Sequence, residues 1–310
     1  MTTPTLSIVA VFFNMRREAQ RTLLSLSRRY QVGVARLDYE VICVDNGSTA
    51  PLDDATVRAF GPEFRHHFFE TTSKSPAAAA NFGIRQARAA HVMVILDGAH
   101  ILTPRILAYA ALCIGNFPSP LVAVQSLALA PANRAELPSW NQAAEDRRLA
   151  AVDWPRNGYE LFRLTSGYGD ESRGWFGAPF ESACLTLRTD AFETLGGFDE
   201  RFQSPGGGLV ALDFFERALA PPELNFVMLL GESTFHQYHG GATTGDPAAG
   251  VPWWQQFHDE YRAIRGQDFH GAARLPIYFG QFTPQALPIA EFSARHGFAF
   301  WRKLFAGGDV

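Results

Sequence analysis

The first 130 residues alternate short apolar runs with segments that carry apolar residues at helical spacing. Short runs rich in Val, Ile and Phe predict strands that are buried on both faces of a sheet. The predicted strands are Leu6–Phe13, Tyr39–Val44, Arg65–Glu70, His91–Leu96 and Leu121–Leu129. The predicted helices are Arg16–Tyr30, Asp53–Phe60, Pro76–Ala90 and Pro104–Ile114. This rhythm predicts an α/β fold with an open, mostly parallel sheet and helices on both faces.

The second half of the chain is less regular. Residues 131–174 are polar and predict loops and short helices across one edge of the sheet. The remaining predicted elements are a strand at Ser182–Arg188, helices at Thr189–Leu195 and Leu209–Leu219, a strand at Asn225–Leu230, and a His- and Gly-rich loop at Thr234–Thr244. Because neither an internal repeat nor a low-complexity linker interrupts the sequence, we expect one compact unit.

Polar side chains follow three of the predicted strands. Asn14, Asp45 and Asp97 each stand where an apolar run ends. The carboxyl ends of parallel strands meet at one edge of a sheet, where α/β proteins bind ligands. The arrangement therefore predicts a nucleotide pocket. The alternative is that these residues cap the following helices or turns.

Composition narrows the class of protein. With 310 residues, 47% of them hydrophobic, the chain can bury a large core. The net charge is −4 and the 27 Lys and Arg residues are scattered, so we expect no nucleic-acid partner. The abundant phenylalanines, 26 in number, suit both a core and a site that stacks bases or sugar rings.

The cysteines and the N-terminus bear on the cellular compartment. Cys43, Cys113 and Cys184 are too few and too widely spaced for a disulfide framework or a CxxC metal site. The N-terminal apolar run is too short for a signal peptide, and no run of 18 apolar residues occurs in the sequence. We expect a cytoplasmic protein whose work at a membrane, if any, is peripheral at its inner face.

Five motif-bearing segments stand in order along the chain: Val9–Asn14, Val44–Thr49, Ala78–Ile84, Val94–His100 and Leu195–Glu200. Together they resemble the inverting glycosyltransferases of family 2, which have the Rossmann-like GT-A fold. The resemblance implies a GT-A domain over residues 1–250, with a nucleotide-binding half at 1–130 and an acceptor-side half at 131–250. A C-terminal extension, residues 251–310, follows it.

The resemblance implies a donor site for a nucleotide-diphosphate sugar, with a uridine carrier by family habit. Asp45, in the family's DGS turn, would contact the nucleobase. Phe12 or Phe13 would stack near the base, and Asn14 stands at the end of the same strand. Asn81 would reach the ribose or the phosphates. The family often has Arg before this Asn, but this chain has Ala80.

The resemblance also implies a divalent cation, Mn²⁺ or Mg²⁺, bridging the donor phosphates. The family holds it with a DxD motif, of which this chain keeps Asp97 but has Ala99 at the second position. The following His100 either compensates or points into the sheet. A late histidine loop supplies His239, which we favour as a ligand, and His236. Imidazole suits Mn²⁺ better than Mg²⁺.

The acceptor side carries the predicted catalytic residue. Asp213 fits the family's general base, and Arg217, one turn later, shares its helix face. The alternative is an ordinary helical ion pair. Trp175 and Glu181 fit an acceptor site for a saccharide, a lipid-linked molecule or a small metabolite. The implied reaction is a single displacement that inverts the anomeric carbon.

Residues 292–305 combine five large aromatic residues with Arg295, Arg302 and Lys303. Such a segment suits peripheral contact with a membrane surface, or a helix docked on the core or on a second subunit of a homo-oligomer.

Three other functions compete. A protein of the same fold that binds nucleotide sugars with weakened catalysis would explain the incomplete DxD. A nucleotidyltransferase would need a Gly-rich basic loop after the first strand, and a dinucleotide-dependent oxidoreductase would need GxGxxG there. The segment after the first strand, Asn14–Arg17, contains no glycine.

Overall fold

The computed structural model describes residues 3–130, 139–165, 174–240, 250–271 and 273–306. The strands within these ranges are β1 (Leu6–Phe12), β2 (Tyr39–Asp45), β3 (Phe64–Phe68), β4 (His91–Ile95), β5 (His100–Leu102), β6 (Pro120–Ala128), β7 (Leu185–Arg188), β8 (Asn225–His236) and β9 (Ile277–Gly280). The α-helices are α1 (Arg16–Leu26), α2 (Asp54–Arg58), α3 (Ala77–Arg85), α4 (Ile106–Asn116), α5 (Gln142–Leu149), α6 (Thr189–Thr194), α7 (Val210–Leu219), α8 (Gly250–Arg265) and α9 (Leu287–Phe305).

All nine strands belong to one sheet, in the order β3-β2-β1-β4-β7-β6-β8-β5, with β9 paired to β8. The pairs β1–β2, β1–β4, β2–β3, β6–β8 and β8–β9 are parallel. Strands β4–β7, β6–β7 and β5–β8 pair antiparallel. The predicted α/β fold with a mixed, mostly parallel sheet is confirmed.

Apolar side chains cover both faces of the central strands. In β1, Val9 and Val11 point to one core cluster and Ile8 and Ala10 to the other, as the two-residue period of a strand requires. Helix α3 packs on the first face and helices α1 and α4 pack on the second. This packing fixes the carboxyl ends of β1, β2 and β4 at one edge, where the candidate site lies.

Two differences from the predicted elements concern that edge. The predicted loop at Thr234 begins later, because β8 continues to His236 and pairs with both β6 and β5. Strand β5 is only three residues long and carries too little periodicity to be recognised in the sequence. Its antiparallel pairing sets His100 directly opposite His236.

The predicted loop regions lie only partly in the described structure. Residues 131–138, 166–173 and 241–249 fall outside it, including the end of the predicted histidine loop. Between them, α5 and a 3₁₀ helix at Gly158–Arg163 agree with the short helices predicted there.

The C-terminal helices pack on the sheet domain. In α8, Arg265 reaches Asp213 of α7, and in α9 the indole nitrogen of Trp301 donates to the carbonyl of Phe176 at 2.8 Å. Within the described ranges, every helix is too short or too polar to cross a membrane.

Candidate active site

Asp97, His236 and His239 converge just beyond the carboxyl end of β4. The Asp97 Oδ2 atom lies 3.2 Å from the His236 Nε2 atom and 3.2 Å from the His239 Nε2 atom. The two Nε2 atoms are 3.1 Å apart. Strand β8 carries His236 to this edge, and the following turn returns His239 to it. The three residues predicted as metal ligands are therefore brought together.

The spacing of these three atoms fits a bound cation. Ligands about 2.1 Å from a common ion lie about 3.0–3.4 Å from one another in octahedral or tetrahedral geometry. The observed separations of 3.1–3.2 Å fall in this range. The other Asp97 oxygen, Oδ1, accepts the backbone N–H of Ala99 at 2.9 Å, which fixes the carboxylate. The residues present fit a divalent cation.

The electrostatics of the cluster favour an ionised carboxylate. Burial alone would raise the pKa of Asp97, but the imidazoles of His239 and His236 hold it well below its usual range. Burial lowers the pKa of His239, but the charge and hydrogen bond of Asp97, together with the charges of Glu18 and Glu145, raise it overall. Metal coordination requires an ionised carboxylate and neutral imidazoles. The low pKa of Asp97 provides the first, and a bound metal would displace any proton from the imidazoles.

A third imidazole lies beside the cluster. The ring of His100 stacks on that of His236, with centroids 4.8 Å apart. Candidate ligand atoms of Asp97, His100 and His236 all lie within 4.8 Å of one another. His100 is 5% exposed, and its Nδ1 atom has no hydrogen-bond partner among the described residues. Burial, followed by the neighbouring His236, lowers the pKa of His100 to about 3.

The histidine loop is held by neighbouring elements. The backbone N–H of Gln237 donates to the carbonyl of Ala99 at 2.8 Å. The backbone N–H of Tyr238 donates to Glu145 Oε2 of α5 at 2.6 Å, and Arg17 of α1 donates to the Tyr238 carbonyl at 3.2 Å. A cleft of about 740 Å³ opens beside this loop. The residues that line it are Arg17, Asn141, Gln142, Ala143, Asp146, Tyr238, His239 and Gly240.

Asp45 and Asn14 organise the adjoining turn. The Asp45 oxygens accept the N–H groups of Ser48 and Leu52 at 2.9 and 3.0 Å. Asn14 has a positive φ of 55°, and its Oδ1 atom accepts the N–H of Thr49 at 3.0 Å. Both side chains lie at the predicted edge, and their contacts are those of turn formation. These contacts support the alternative interpretation of both residues, and their nucleotide-binding role stays a prediction.

Two aromatic residues predicted to stack on ligands are buried instead. Phe12 is 0% exposed, in the core beneath Gly98. Trp175 is also 0% exposed and donates its indole N–H to the carbonyl of Glu232 at 2.9 Å. A ring without accessible surface cannot stack on a base or a sugar. The roles predicted for Phe12 beside the base and for Trp175 at the acceptor site are therefore corrected to core packing.

Asn81 joins α3 to the segment before α7. Its amide nitrogen donates to the Phe198 carbonyl at 2.8 Å and to Glu200 at 2.9 Å, and its oxygen accepts the Phe198 N–H at 3.1 Å. These contacts orient residues 196–200, the GGFDE segment. Glu181 is exposed on the segment that precedes β7. Its acceptor-binding role stays a prediction.

Asp213 lies in a buried ion-pair network. It is 1% exposed, and Arg217 donates to its Oδ2 atom at 2.8 and 2.9 Å. Arg265 of α8 donates to both oxygens, at 2.5 and 2.8 Å. Arg217 also donates to the carbonyls of Leu195 and Gly197 at 2.5 and 2.9 Å. The predicted pairing of Asp213 with Arg217 is present, and Arg217 is directed into the protein rather than towards an acceptor.

Sequence reasoning missed Glu145 and Arg265. Glu145 lies 93 residues from Tyr238, and Arg265 lies 52 residues from Asp213. Both residues stand on amphipathic helices among other charged side chains, so nothing local distinguishes them. Only the packing of α5 and α8 brings them to these positions.

Comparisons with known proteins agree with this architecture. Residues 7–108 match the family model described as glycosyl transferase family 2. The crystal structure of S. aureus TarS has a TM-score of 0.50 at 14% identity, covering 94% of this chain and 43% of that chain. Crystal structures of S. aureus TarS 1-349, alone and in complex with UDP-GlcNAc, have TM-scores of 0.50 at 15% identity, covering 96% of this chain and 73% of those chains. A search of curated proteins gave no significant match.

The resemblance to family 2 is thereby confirmed over residues 7–108, about the first third of the chain. The structural likeness extends over nearly the whole chain and establishes the GT-A fold. The chain spans less than half the length of the full TarS chain.

Proposed function

We propose that this protein transfers a sugar from a nucleoside-diphosphate donor to an acceptor hydroxyl. The observation that carries the proposal is the Asp97–His236–His239 triangle, at the sheet edge where we expect the donor to bind. A uridine carrier is the first candidate, since the TarS complex of the same fold contains UDP-GlcNAc. The acceptor is a saccharide, a lipid-linked molecule or a small metabolite.

The chemistry needs a group that neutralises the leaving diphosphate. A divalent cation held by Asp97, His236 and His239 would supply that charge as a Lewis acid. The chain's own contribution is to hold the ligands in place, through Ala99 for Asp97 and through Glu145 and Arg17 for the loop between His236 and His239. The cleft beside His239 gives a polyhydroxyl ligand polar side chains to bind. A single displacement by the acceptor oxygen inverts the anomeric carbon.

The acceptor hydroxyl must lose a proton in this step. Asp213 remains our proposed base, and its contacts set a condition on that role. Both of its oxygens accept hydrogen bonds from arginines, so it would have to exchange at least one of them for the acceptor hydroxyl. If Asp213 instead keeps all these contacts, its role would be to position α7 against the GGFDE segment. The two roles predict different effects of replacing Asp213 on the rate of transfer and on the stability of the fold.

Thermal unfolding with nucleoside diphosphates, with and without Mn²⁺, tests the proposal. A ligand that binds only the folded state raises the melting temperature by mass action. We expect one nucleotide to stabilise the protein, and Asp97→Asn to remove the metal-dependent part of that shift. The exposed Asp259→Asn, on α8, is the matched control. If no nucleotide shifts the melting temperature, the proposal fails.

A nucleotide-sugar-binding protein without catalysis is the second candidate, favoured by the saturated contacts of Asp213. Incubation with the stabilising donor and a panel of acceptors separates the two. A glycosylated product with inverted configuration, seen by nuclear magnetic resonance, supports the transferase. Stabilisation by a donor that is never consumed supports the binding protein.

A further inference from the structure

His100 lies beside the Asp97–His236–His239 triangle, and the proposed function gives it no role. The side chain is buried, and its Nδ1 atom lacks a hydrogen-bond partner among the described residues. A buried polar atom without a partner costs about 1–3 kcal/mol, so such an atom beside a ligand cluster calls for an explanation. The antiparallel pairing of β5 with β8 holds His100 opposite His236 and stacks the two rings.

The set of donors differs from that of a site built for magnesium. Mg²⁺ is a hard cation that prefers oxygen ligands, usually carboxylates together with water. Here Ala99 stands where a second carboxylate is expected, and the cluster offers one carboxylate and three imidazoles. Imidazole nitrogen suits Zn²⁺, Fe²⁺, Co²⁺ and Ni²⁺.

We propose that His100 is the fourth protein ligand of this site and that the site selects a nitrogen-preferring transition-metal ion over Mg²⁺. His100 thereby replaces the missing second carboxylate of the DxD segment with a nitrogen donor. This inference rests on the proposed function only in what it assumes the metal is used for. Binding of the ion itself requires no nucleotide.

Metal titration of the untagged, chelator-treated protein tests the inference without any donor or acceptor. Co²⁺ is the probe, because its visible absorption reports the number of ligands and the presence of nitrogen. We expect one Co²⁺ per chain, displaced by Zn²⁺ but retained in about a thousandfold excess of Mg²⁺. Displacement of Co²⁺ by Mg²⁺ at comparable concentrations would overturn the proposed selectivity.

Two variants test His100 directly. His100→Phe keeps a flat ring against His236 and removes both nitrogens, whereas His67→Phe makes the same change on β3, at the other end of the sheet path. We expect His100→Phe to weaken Co²⁺ binding at least about tenfold and to change the absorption band. We expect His67→Phe to leave both unchanged. His100→Ala serves as a second variant, and the melting temperature of each metal-free protein verifies folding.

The outcomes separate this inference from the proposed function. Equal Co²⁺ affinity and equal spectra in wild type and both folded His100 variants would exclude His100 as a ligand, whatever the nucleotide experiments give. Tight Co²⁺ binding that depends on His100, in a protein that no nucleotide stabilises, would support the metal site and reject the transferase.

Discussion

Glu145 of α5 accepts a hydrogen bond from the backbone amide of Tyr238 at 2.6 Å, one residue before His239 and two after His236. The Glu145 side chain is fully buried, and Arg17 holds the Tyr238 carbonyl from the side of α1. Helices α1 and α5 therefore fix the short turn that follows His236 of β8 and carries His239 to Asp97. We propose that Glu145 acts on the candidate metal site through this turn, as a positioning residue.

Replacing Glu145 should loosen the metal site without removing a ligand. Supporting hydrogen bonds of metal ligands contribute about 10–100-fold to affinity, so we expect Glu145→Ala to weaken Co²⁺ or Mn²⁺ binding by about tenfold. Glu145→Gln keeps an oxygen that can accept the Tyr238 N–H and should restore most of the affinity. Metal titration measures both. The control is Asp153→Ala, an exposed residue after α5. Equal losses in the Ala and Gln variants would contradict the positioning role.

Substitution of Asp213 distinguishes a base from a structural ion pair. If Asp213 is the base, Asp213→Asn abolishes transfer even at temperatures where the variant is fully folded. If it mainly holds Arg217 and Arg265, the same variant leaves two guanidinium groups around a neutral amide. Breaking a buried ion pair by removing one partner costs about 3 kcal/mol. Circular-dichroism melting and an initial-rate assay on the same preparation give the answer.

Arg265→Met provides the matching variant. It removes the contact from α8 and leaves Asp213 paired with Arg217. We expect a lower melting temperature. Transfer that survives in Arg265→Met but not in Asp213→Asn supports the base, whereas parallel losses of stability and rate in both variants support the structural role.

The sheet was predictable because its central strands are apolar on both faces. Runs of apolar residues indicate interior strands in the sequence, and every residue of β1 and β2 is indeed buried. The end of β8 was not predictable in this way. The segment Thr234–His236 looks like the start of a polar loop, but pairing with β5 and β6 satisfies its backbone and keeps it extended.

The residues that converge at the candidate site could be predicted from the sequence, and the contacts that support them could not. Asp97, His236 and His239 were found because they stand in motifs after predicted strands. Phe12 was misjudged because a strand-end aromatic residue looks the same in sequence whether it faces the cleft or the core. Glu145 had no local pattern at all, since its role comes from the packing of α5.

The stability of the fold should fall as the pH rises through the titration range of Glu232. Burial raises its pKa from the usual 4.5 to about 7, although it accepts the hydroxyl of Tyr159 at 2.7 Å. Between these values the unfolded state ionises and the folded state does not, so unfolding becomes more favourable as the pH rises. The difference corresponds to about 3 kcal/mol by pH 7.

Urea unfolding between pH 4.5 and 8 measures this dependence. Glu232→Gln, which cannot ionise, should flatten the part of the curve between pH 4.5 and 7. The same substitution at the exposed Glu193 of α6 is the control and should leave the curve unchanged. A slope that persists in Glu232→Gln would assign the titration to other groups.

The outer face of α9 suits an anionic membrane surface. Phe298 and Phe305 are 43% and 69% exposed, and Arg295, Arg302 and Lys303 are exposed on the same helix. Aromatic side chains enter the interface while basic ones pair with anionic headgroups. We expect the protein to co-sediment with anionic vesicles more than with neutral ones.

Point substitutions test this better than removal of the helix, because Trp301 of α9 is buried against the core. The double variant Phe298→Ser, Phe305→Ser should lose most of the vesicle binding. Val32→Ser, at a 50% exposed residue away from α9, should retain it. Binding that is equal in all three proteins would dismiss the membrane role of this face.

Two glycines in helices should respond oppositely to alanine. Gly297 in α9 packs directly on the backbone of Phe176 and Gly177, and a Cβ atom there would overlap them. A Cβ atom at Gly115 in α4 would meet no atom within 4 Å. Alanine is favoured over glycine in helices by about 1 kcal/mol, whereas overpacking costs about 1–3 kcal/mol. We therefore expect Gly115→Ala to stabilise the protein and Gly297→Ala to destabilise it.

This pair also tests the predicted boundary at residue 250. If residues 251–310 form an extension that the transferase domain does not need, Gly297→Ala should detach α9 in a separate, early transition and leave the main unfolding transition in place. If α9 is part of the cooperative unit, Gly297→Ala should lower the midpoint of a single transition. Because Trp301, Ser293 and Gly297 all contact residues 174–177, we expect the single transition. Urea unfolding followed by both fluorescence and circular dichroism distinguishes the two, since coincident curves indicate one cooperative unit.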